Sequence, residues 1–393
     1  MLKKKNVKKP HVVFITSGHS PFSSRLFHKE LRSLKKVYDR VTIIAPHDKP
    51  RETIENVCII GIKKYTSRYN RWSSLAALYR KASEADPDFI HCHEPDSLFV
   101  AYLLKQKFPA IQIIYDCHEF HPVSFTENFP PLIRYFAKVL IEVFENFLTT
   151  KISAVITVNQ RLAKRFEKYN KSVIVLPNYP ILDTPSKTGG KRELFSNDEI
   201  RLIYAGSLSE DRGLFRMLKM LTKLPLSVNV KLVLIGRFFP FAVQKQFEEA
   251  IKMYGLGKRV EYKGYLPHEK VIMHLQNSDI GLFLVSGMDR YKWGEPIKYF
   301  EYSLSGLPIV ISDLPAKRAL IENNENGILV SPYSALEAAN AVKFLIENPM
   351  RAREMGERGR QAVLERYNWE FLEPRLFELY DTLTRNGWNN SNV

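Results

Sequence analysis

The sequence predicts an α/β fold built from two doubly wound, Rossmann-like halves, and three observations lead to this prediction. The chain has 393 residues, which is too long for one ordinary hydrophobic core. Short β-branched runs alternate with helical patterns, as in parallel sheets that are covered on both faces. Residues 179–199, rich in Pro, Gly, Ser and Asp, interrupt this alternation. We therefore place the boundary between the halves near residue 185.

Six apolar runs in each half are the predicted strands. In the first half they span residues 11–16, 41–46, 89–95, 111–116, 153–158 and 171–178, and in the second half 201–206, 230–236, 259–264, 279–285, 307–312 and 326–332. Ligands of doubly wound sheets bind at the carboxyl ends of the strands, where loops lead into helix N-termini. We therefore expect the functional residues at these ends, in a cleft between the two halves.

The composition is that of a soluble globular protein, with 45% hydrophobic and 25% charged residues. No apolar run approaches the roughly 18 residues that a membrane-spanning helix needs. The start, "MLKKKNVKKP", is followed by an apolar run too short for a signal peptide, so it is predicted to be a basic tail. Three cysteines are too few for a disulfide scaffold and suit a reducing cytoplasm.

The positive charge of the chain is concentrated in its first half. The net charge is +16, and residues 1–190 carry 30 Lys and Arg against 17 Asp and Glu, which leaves +13 there and +3 in the remainder. This half is expected to meet an anionic partner, such as a membrane surface or a phosphorylated substrate, although basic surface can also serve solubility alone. No zinc-finger spacing, aromatic RNA-binding motif or helix-turn-helix pattern supports nucleic acid as that partner.

Glycine-containing turns follow the first strand of each half. "YAGSLSEDRGL" is a strand that runs into a turn bounded by Gly206 and Gly213 and then into a helix. The glycines let backbone amides approach an anion, and the guanidinium of Arg212 suits a phosphate. "SGHSPFSSR", with Gly18, repeats this arrangement near the start of the chain. Such turns also occur without a ligand, so each one alone is a weak signal.

Histidines, cysteines and acids are dense in "HCHEPD" (91–96) and "YDCHEFHP" (115–122). Their side chains are zinc ligands, so a zinc site is one interpretation. Because alternate residues of a strand point to opposite faces, Cys92 and Cys117 are better explained as core thiols and the other polar groups as substrate contacts. The predicted acceptor-side residues are His19, His93, Glu94, Asp96 and Glu119, and no residue is predicted to bind a metal.

The segment "WGEPIKYFEYSLSGLPIVIS" (293–312) places Glu295, Lys298 and Glu301 three residues apart, and Pro296 suits the first position of a helix there. A carboxylate on this helix can accept hydrogen bonds from sugar hydroxyls, and an ammonium group can meet a phosphate. The alternative is a salt-bridge row on a solvated face, which stabilises a helix by about 0.2–0.5 kcal/mol per pair. The aromatic residues inside the segment and the apolar strand after it favour a largely buried helix.

These motifs, in this order, resemble those of the retaining GT-B glycosyltransferases, family four of the sequence classification. "YAGSLSEDRGL", "LVLIGRF", "VEYKGYLPHEKV", "SDIGLFLV", "PIKYFEYSLSGLPIVIS" and "ENGILVSP" resemble its nucleotide-sugar domain, and "GRQAVLERYNWE" resembles its C-terminal helix. The resemblance implies an acceptor-binding domain at residues 1–185 and a donor-binding domain at 186–369. In this fold the domains face each other across a cleft, and the C-terminal helix, here about 370–393, crosses back to the first domain.

The resemblance also assigns roles to single residues. Glu301 matches the second carboxylate of the family's paired-glutamate motif, which holds the ribose hydroxyls, and Arg212 matches a basic residue on the donor diphosphate. His118 matches the first-domain histidine near the transferred sugar, and Gly18 matches the glycine loop beneath that sugar. The predicted catalytic residues are His118, Arg212, Lys298 and Glu301, and the predicted donor-binding residues are Gly18, Gly206, Ser207, Arg212, Gly213, Gly236, Leu266, Gly294, Glu295, Lys298 and Glu301.

Two positions depart from the family pattern. The first carboxylate of the paired motif would fall at Trp293, so the chain carries the Pro-x-Lys-x-Phe-Glu variant, "PIKYFE". The family's other basic residue, just after Gly206, is Ser207 here. Lys298 is therefore expected to supply the missing positive charge.

The resemblance implies that a sugar moves, with retention, from a UDP- or GDP-linked donor to a lipid-linked or free saccharide, as in bacterial capsule or O-antigen biosynthesis. No paired-aspartate motif for a divalent cation stands out, so we expect metal independence and no cofactor. We expect a cytoplasmic protein, peripheral on the inner face of the plasma membrane, with residues 130–148 either against that membrane or buried. A GT-B-fold nucleotide-sugar epimerase and a non-catalytic phosphosaccharide-binding protein are the alternatives.

Overall fold

The computed structural model describes residues 10–65, 73–126, 129–182, 194–195 and 198–390. The chain divides into two compact units: Met1–Asn178 together with Leu372–Val393 form unit 1, and Tyr179–Phe371 form unit 2. The predicted basic tail and most of the predicted interdomain segment lie outside the described residues. In the part of the chain that is described, no helix is long and apolar enough to cross a bilayer.

Unit 1 is built on an eight-stranded sheet in which every strand except β3 pairs in parallel. The strand order is β3-β4-β2-β1-β5-β6-β7-β8. The strands are β1 (His11–Ile15), β2 (Arg40–Pro46), β3 (Arg51–Ile54), β4 (Val57–Ile62), β5 (Phe89–Cys92), β6 (Gln112–Cys117), β7 (Ala154–Thr157) and β8 (Val173–Val175). Strands β1, β5 and β7 are buried along their whole length, as expected for a parallel sheet covered on both faces.

Helices cover this sheet and close its core. They are α1 (Ser24–Leu31), which is π-helical, α2 (Arg32–Lys35), α3 (Ser73–Glu84), α4 (Pro95–Lys107), α5 (His121–Thr126), α6 (Pro131–Thr149) and α7 (Gln160–Phe166). Leu78 from α3 and Leu98 and Leu104 from α4 pack in one core with Ile90 and Ile113 of the sheet. Cys92 and Cys117 are buried in the same core, where the sequence placed them.

Unit 2 is built on a six-stranded, fully parallel sheet ordered β11-β10-β9-β12-β13-β14. Its strands are β9 (Ile200–Ala205), β10 (Val230–Ile235), β11 (Val260–Tyr262), β12 (Ile280–Phe283), β13 (Ile309–Ser312) and β14 (Gly327–Val330). The strand order reverses between β9 and β12. The carboxyl ends of these two strands are therefore the place where a doubly wound sheet binds its ligand.

The helices of unit 2 alternate with its strands and are followed by two long C-terminal helices. They are α8 (Leu214–Lys223), α9 (Val243–Met253), α10 (His268–Gln276), α11 (Asp289–Lys292), α12 (Ile297–Leu304), α13 (Pro315–Asn324), α14 (Ala335–Glu347) and α15 (Pro349–Glu365). The last helix, α16 (Trp369–Asn390), begins in unit 2 and belongs to unit 1 from Leu372 onward.

The predicted α/β class with parallel sheets in both halves is confirmed, and all six predicted strands of the second half are present. In the first half the prediction missed β3 and β4. These two strands form a hairpin whose turn residues, Glu55 and Asn56, have φ of 50° and 61°. Such a turn usually contains glycine, and the charged residues of β3 break the apolar pattern, so neither hairpin signal stands out in the sequence.

Candidate active site

In unit 2, several predicted donor-binding residues lie where β9 ends. The backbone N–H of Ala205, the last residue of β9, donates to the Tyr302 hydroxyl at 3.0 Å, which holds α12 against this strand. Helix α12 begins with Pro296 as its N-cap, one residue before its first helical turn. The Lys298 side chain lies beside Gly206, because a Cβ added to that glycine would be 3.5 Å from Lys298 Cε. The same Cβ would be 3.0 Å from the Tyr204 hydroxyl oxygen, so a side chain at Gly206 would crowd that hydroxyl.

Lys298 and Glu301 form an ion pair one turn apart on α12. Lys298 Nζ donates to Glu301 Oε2 at 3.2 Å, and His268 Nδ1 lies 3.9 Å from Glu301 Oε1. The Glu301 side chain is only 7% exposed, whereas that of Lys298 is 24% exposed. The solvated salt-bridge row is therefore the wrong explanation of this segment, since the residues around Glu301 on α12 are buried.

Arg212 lies beside two tyrosine hydroxyls at the start of α8. Burial lowers the pKa of Arg212, but the neighbouring Tyr204 and Tyr291 raise it by more. The pKa of Arg212 therefore lies above its usual value. Burial raises the pKa of Tyr204 to about 12, so this hydroxyl keeps its proton. It donates a hydrogen bond to the Ser207 carbonyl oxygen at 3.0 Å. Among the described residues no carboxylate pairs with Arg212. Its charge is therefore available to an anion at the turn after β9.

Two of the predicted glycines occupy positions that a side chain would disrupt. Gly213 has φ +83° and precedes α8, and a Cβ there would lie 1.9 Å from the Leu284 carbonyl oxygen. Gly236 has φ +147°, and a Cβ there would lie 1.8 Å from the Gly206 carbonyl oxygen. The backbones of the turns that follow β9 and β10 are thus in direct contact. Leu266, also predicted to bind the donor, is half-buried between β11 and α10.

Gly294 and Glu295 lie in the exposed segment between α11 and α12. The buried Lys317 donates to the Gly294 carbonyl oxygen at 2.6 Å and thereby fixes this segment. Burial lowers the pKa of Lys317 to about 8. Trp293, where the family motif is expected to place its first carboxylate, is 45% exposed. No hydrogen bond or ion pair among the described residues joins Glu295 to Glu301.

In unit 1, the loop after β1 is held by two buried carboxylates at the start of α4. Thr16 Oγ1 donates to Glu94 Oε1 at 2.6 Å, and the Gly18 N–H donates to the same oxygen at 3.2 Å. Ser17 Oγ donates to Asp96 Oδ2 at 2.6 Å. Glu94 and Asp96, which the sequence predicts to contact the acceptor, therefore lie beneath the Gly18 loop as its supports.

Three other predicted residues of unit 1 reach the surface. His118 and His19 lie side by side, with their Nε2 atoms 3.2 Å apart, and their side chains are 18% and 39% exposed. Glu119 is exposed, and its Oε1 lies 3.4 Å from Nδ1 of the buried His121. Burial lowers the pKa of His19, so this imidazole is neutral at physiological pH. One neutral imidazole can donate to the other across their short contact.

Behind His118 lies a fully buried network centred on Asp116. Arg25 donates to both carboxylate oxygens, from Nε to Oδ2 at 2.6 Å and from Nη2 to Oδ1 at 2.9 Å. Burial raises the pKa of Asp116, but the charge of Arg25 outweighs this effect and holds the pKa well below its usual range. His118 Nδ1 and His93 Nδ1 lie 3.6 and 3.4 Å from Asp116 Oδ2. His93, predicted to contact the acceptor, is fully buried here.

Sequence reasoning missed the residues that support these sites from a distance. In unit 2 they are Tyr204, Tyr302 and Lys317, and in unit 1 they are Arg25, Glu30 and Asp116. Arg25 is the clearest case, because it is a charged residue that α1 buries together with Lys29 and Glu30. That pattern signals a buried partner, but the partner lies 91 residues further along the chain.

The two sheets, the strand order of unit 2 and the turn–helix site at β9 define the class of this protein: it has the GT-B fold of nucleotide-sugar-dependent transferases. Residues 188–362 match the family model described as glycosyl transferases group 1, and residues 23–179 match the model described as glycosyltransferase family 4. The chain belongs to this superfamily of GT-B glycosyltransferases and is a transferase enzyme.

Similar proteins agree with this assignment. An uncharacterized glycosyltransferase of Methanocaldococcus jannaschii is 26% identical over 195 residues, which cover 49% of this chain and 47% of that relative. The chain thus matches about half the length of this relative. Sucrose-phosphate synthase from Thermosynechococcus elongatus has a TM-score of 0.75 at 19% identity, covering 96% of this chain and 100% of that one. Anabaena HepE in complex with UDP-glucose has a TM-score of 0.70 at 16% identity, covering 95% and 100%. These likenesses confirm the predicted GT-B fold.

Proposed function

We propose that this protein transfers a sugar, with retention of anomeric configuration, from a nucleoside-diphosphate sugar to a saccharide acceptor. The observation that carries the proposal is the grouping of Gly206, Arg212, Lys298 and Glu301 at the carboxyl end of β9. A guanidinium and an ammonium group there suit a diphosphate, and a buried carboxylate suits ribose hydroxyls. HepE, whose structure contains UDP-glucose, has the same fold, so a UDP-linked donor is the first to test and a GDP-linked donor the second.

The reaction breaks the bond between the anomeric carbon and the phosphate oxygen of the donor. Both electrons of that bond stay on the leaving diphosphate, a new bond forms to the acceptor oxygen, and the acceptor proton passes to the leaving phosphate. Negative charge therefore grows on the diphosphate in the transition state. Arg212, Lys298 and the N-terminus of α12 stabilise that charge and supply most of the acceleration.

Retention and the motif variant rest on the resemblance to family four. The variant "PIKYFE" supplies one carboxylate, Glu301, where the family's usual motif supplies two. We infer that Lys298 compensates for Ser207 as the second cation and that the sugar hydroxyls are held by groups other than the missing carboxylate. No divalent cation is proposed for donor binding, so adding Mg²⁺ or Mn²⁺ is expected to leave turnover unchanged.

Unit 1 is proposed to bind the acceptor. His118, His19 and Glu119 are its polar candidates that reach the surface, and Gly18 lies in the loop beside His19. The acceptor is proposed to be a lipid-linked or free saccharide of a bacterial surface polysaccharide. His118 is proposed to donate a hydrogen bond to the transferred sugar, and Asp116 orients its ring.

We further propose that unit 1 docks on an anionic membrane through helix α6. Nine apolar side chains of this helix are exposed and form what we name the α6 surface: Leu132, Ile133, Tyr135, Phe136, Val139, Leu140, Val143, Phe144 and Phe147. Of the two acids of α6, Glu145 points inward, where it bonds Arg165 at 2.6 Å and Tyr115 at 2.5 Å, and Glu142 is 35% exposed and lies 3.7 Å from Arg165. The helix thus shows its apolar face to the outside, and Arg134 is the exposed charge beside it. Aromatic and aliphatic groups with nearby cations suit the interface of an anionic bilayer.

Transfer is tested directly. Thermal-shift measurements with UDP, GDP and their sugar conjugates identify the donor, since a ligand at 100 times its dissociation constant stabilises by about 2.7 kcal/mol. The donor is then incubated with saccharide acceptors, and the anomeric configuration of the product is determined by NMR. A retained configuration supports the proposal. Conversion of the donor alone to its epimer would identify an epimerase, and binding without turnover would identify a phosphosaccharide-binding protein.

Membrane docking is tested by co-sedimentation with phosphatidylglycerol vesicles. Leu140→Ser and Phe136→Ser should weaken binding, while Leu226→Ser, an exposed apolar residue of unit 2, should not. Removing residues 1–9 deletes five lysines and should make binding weaker, because each contributes about 1 kcal/mol near such a surface. Full-length protein that ignores these vesicles at low salt, or that forms a dimer broken by Leu140→Ser, would contradict membrane docking.

A further inference from the structure

Unit 1 contains a second polar cluster, away from the surface, that the proposed reaction does not use. His91, His93 and Glu30 are all 0% exposed. Both carboxylate oxygens of Glu30, Nε2 of His91 and both ring nitrogens of His93 have no hydrogen-bond partner among the described residues. Buried polar groups are normally hydrogen-bonded or bound to a metal. Two of these five atoms have a charged neighbour, but Nε2 of His91, Nε2 of His93 and Oε2 of Glu30 face one another and indicate a missing partner.

The unsatisfied atoms converge with the spacing of metal ligands. His91 and His93 are two residues apart at the end of β5, so both lie on one face of the sheet, with parallel rings 5.0 Å apart. Nε2 of each ring lies 3.8 Å from the same carboxylate oxygen, Glu30 Oε2. Donors bound tetrahedrally to zinc at about 2.0–2.2 Å stand about 3.3–3.6 Å apart. A contraction of a few tenths of an ångström would bring Oε2 of Glu30 to this distance from each imidazole.

Each ligand candidate is oriented by a partner on its far side. His91 Nδ1 is hydrogen-bonded to the Tyr380 hydroxyl at 2.9 Å, and His93 Nδ1 lies 3.4 Å from Asp116 Oδ2. Arg25 Nε lies 3.0 Å from Glu30 Oε1, the oxygen turned away from the imidazoles. Metal-binding histidines are typically held in this way, with Nδ1 toward a carboxylate or hydroxyl and Nε2 toward the ion.

We propose that His91, His93 and Glu30 bind one Zn²⁺ ion through Nε2, Nε2 and Oε2, with Asp116 and Tyr380 as positioning residues. The ligands have no exposed surface, so the ion has a structural role and does not meet a substrate. It joins α1 and β5, and through Tyr380 it fixes the part of α16 that belongs to unit 1. The proposal is independent of the proposed transfer reaction and of metal-free donor binding in unit 2.

The test uses the full chain, purified without a histidine tag from zinc-supplemented cells and dialysed into metal-free buffer. Mass spectrometry of the metal content should find close to one zinc per chain, and replacement by Co²⁺ should give visible absorption bands that the metal-free protein lacks. His93→Gln should lose the zinc. The matched control is His11→Gln, a buried histidine of the same unit that bonds Ala85 and Thr42, which should keep it.

A wild-type measurement keeps the proposal testable if His93→Gln fails to fold. Prolonged treatment with dipicolinate should lower Tm, and Zn²⁺ should restore it while Mg²⁺ should not. Wild-type protein that contains no metal and whose Tm does not respond to Zn²⁺ or Co²⁺ would overturn the proposal and leave a shared proton as the partner of the cluster. Zinc retained in folded His93→Gln at the wild-type level would overturn it equally.

Discussion

The two units place their charged residues in different ways. In unit 2, Lys298 and Glu301 are three residues apart on one helix and both keep some contact with solvent. In unit 1, Arg25 and Asp116 are 91 residues apart and lie in the interior. The pair in unit 2 forms as soon as α12 forms, whereas the pair in unit 1 exists only when α1 and β6 have packed.

Because of this difference in burial, we expect the pair in unit 2 to serve ligand binding and the pair in unit 1 to serve stability. An ion pair between neighbouring turns of one helix contributes little to folding, so its groups can be devoted to a ligand. A buried ion pair matters more for stability, because removing one partner leaves the other charge in the interior without a counter-ion or water. Substitutions of Lys298 or Glu301 should therefore change ligand handling while the fold persists, and substitutions of Arg25 or Asp116 should change the fold itself.

The largest effect is expected for the buried pair. Arg25→Met should destabilise unit 1 by about 3–5 kcal/mol, because Asp116 is left buried without its cation. Urea unfolding followed by intrinsic fluorescence measures this loss. The double variant Arg25→Met/Asp116→Leu is the control, since removing both charges should recover much of the stability. A single variant as stable as the wild type would show that the pair is not buried in solution.

Next in size are the two cations of unit 2. Arg212→Ala and Lys298→Ala should each lower kcat by about 10²–10³, with a smaller change in KM, because the charge they meet grows in the transition state. Steady-state kinetics with the identified donor measures both constants. Lys219→Ala, an exposed lysine on α8, is the matched control and should behave as wild type. A change confined to KM would mean that the two cations only bind the donor.

A smaller effect is expected at Glu301. Glu301→Gln should weaken nucleoside-diphosphate binding by about tenfold or more, since a hydrogen bond to a charged group contributes about 1.5–3 kcal/mol and the amide has one acceptor instead of two. Calorimetric titration measures the affinity. Glu322→Gln on the surface of α13 is the control and should bind normally. Equal affinity in Glu301→Gln and wild type would remove this carboxylate from the site.

The smallest effect belongs to a surface pair of unit 1. Arg32 and Glu55 form a two-fold contact at 2.7 and 2.5 Å, yet both side chains are nearly half exposed. Arg32→Ala should change stability by only about 0.2–1 kcal/mol, because solvent screens the pair. The same urea experiment applies. A loss as large as that of Arg25→Met would mean that distance, and not burial, sets the strength of these pairs.

Much of the fold follows from the sequence, because strand and helix periodicity are local properties. The six strands of unit 2 and the helix "PIKYFEYSLS" could be predicted from runs of a few residues. The same holds for the turn between Gly206 and Gly213. The β3–β4 hairpin could not, since its turn residues, Glu55 and Asn56, are not those that usually mark such a turn.

The sequence by itself determined that residues 91–96 and 115–122 are rich in metal-binding and acidic groups, and that residues 130–148 form an amphipathic helix. Only the tertiary structure brought Glu30 and Tyr380 to His91, because partners so far apart in sequence leave no pattern in either segment. Likewise, periodicity shows that α6 has an apolar face but not where that face points. The inward bonds of Glu145 decided it, since a buried carboxylate needs partners and the opposite face of the helix then turns outward.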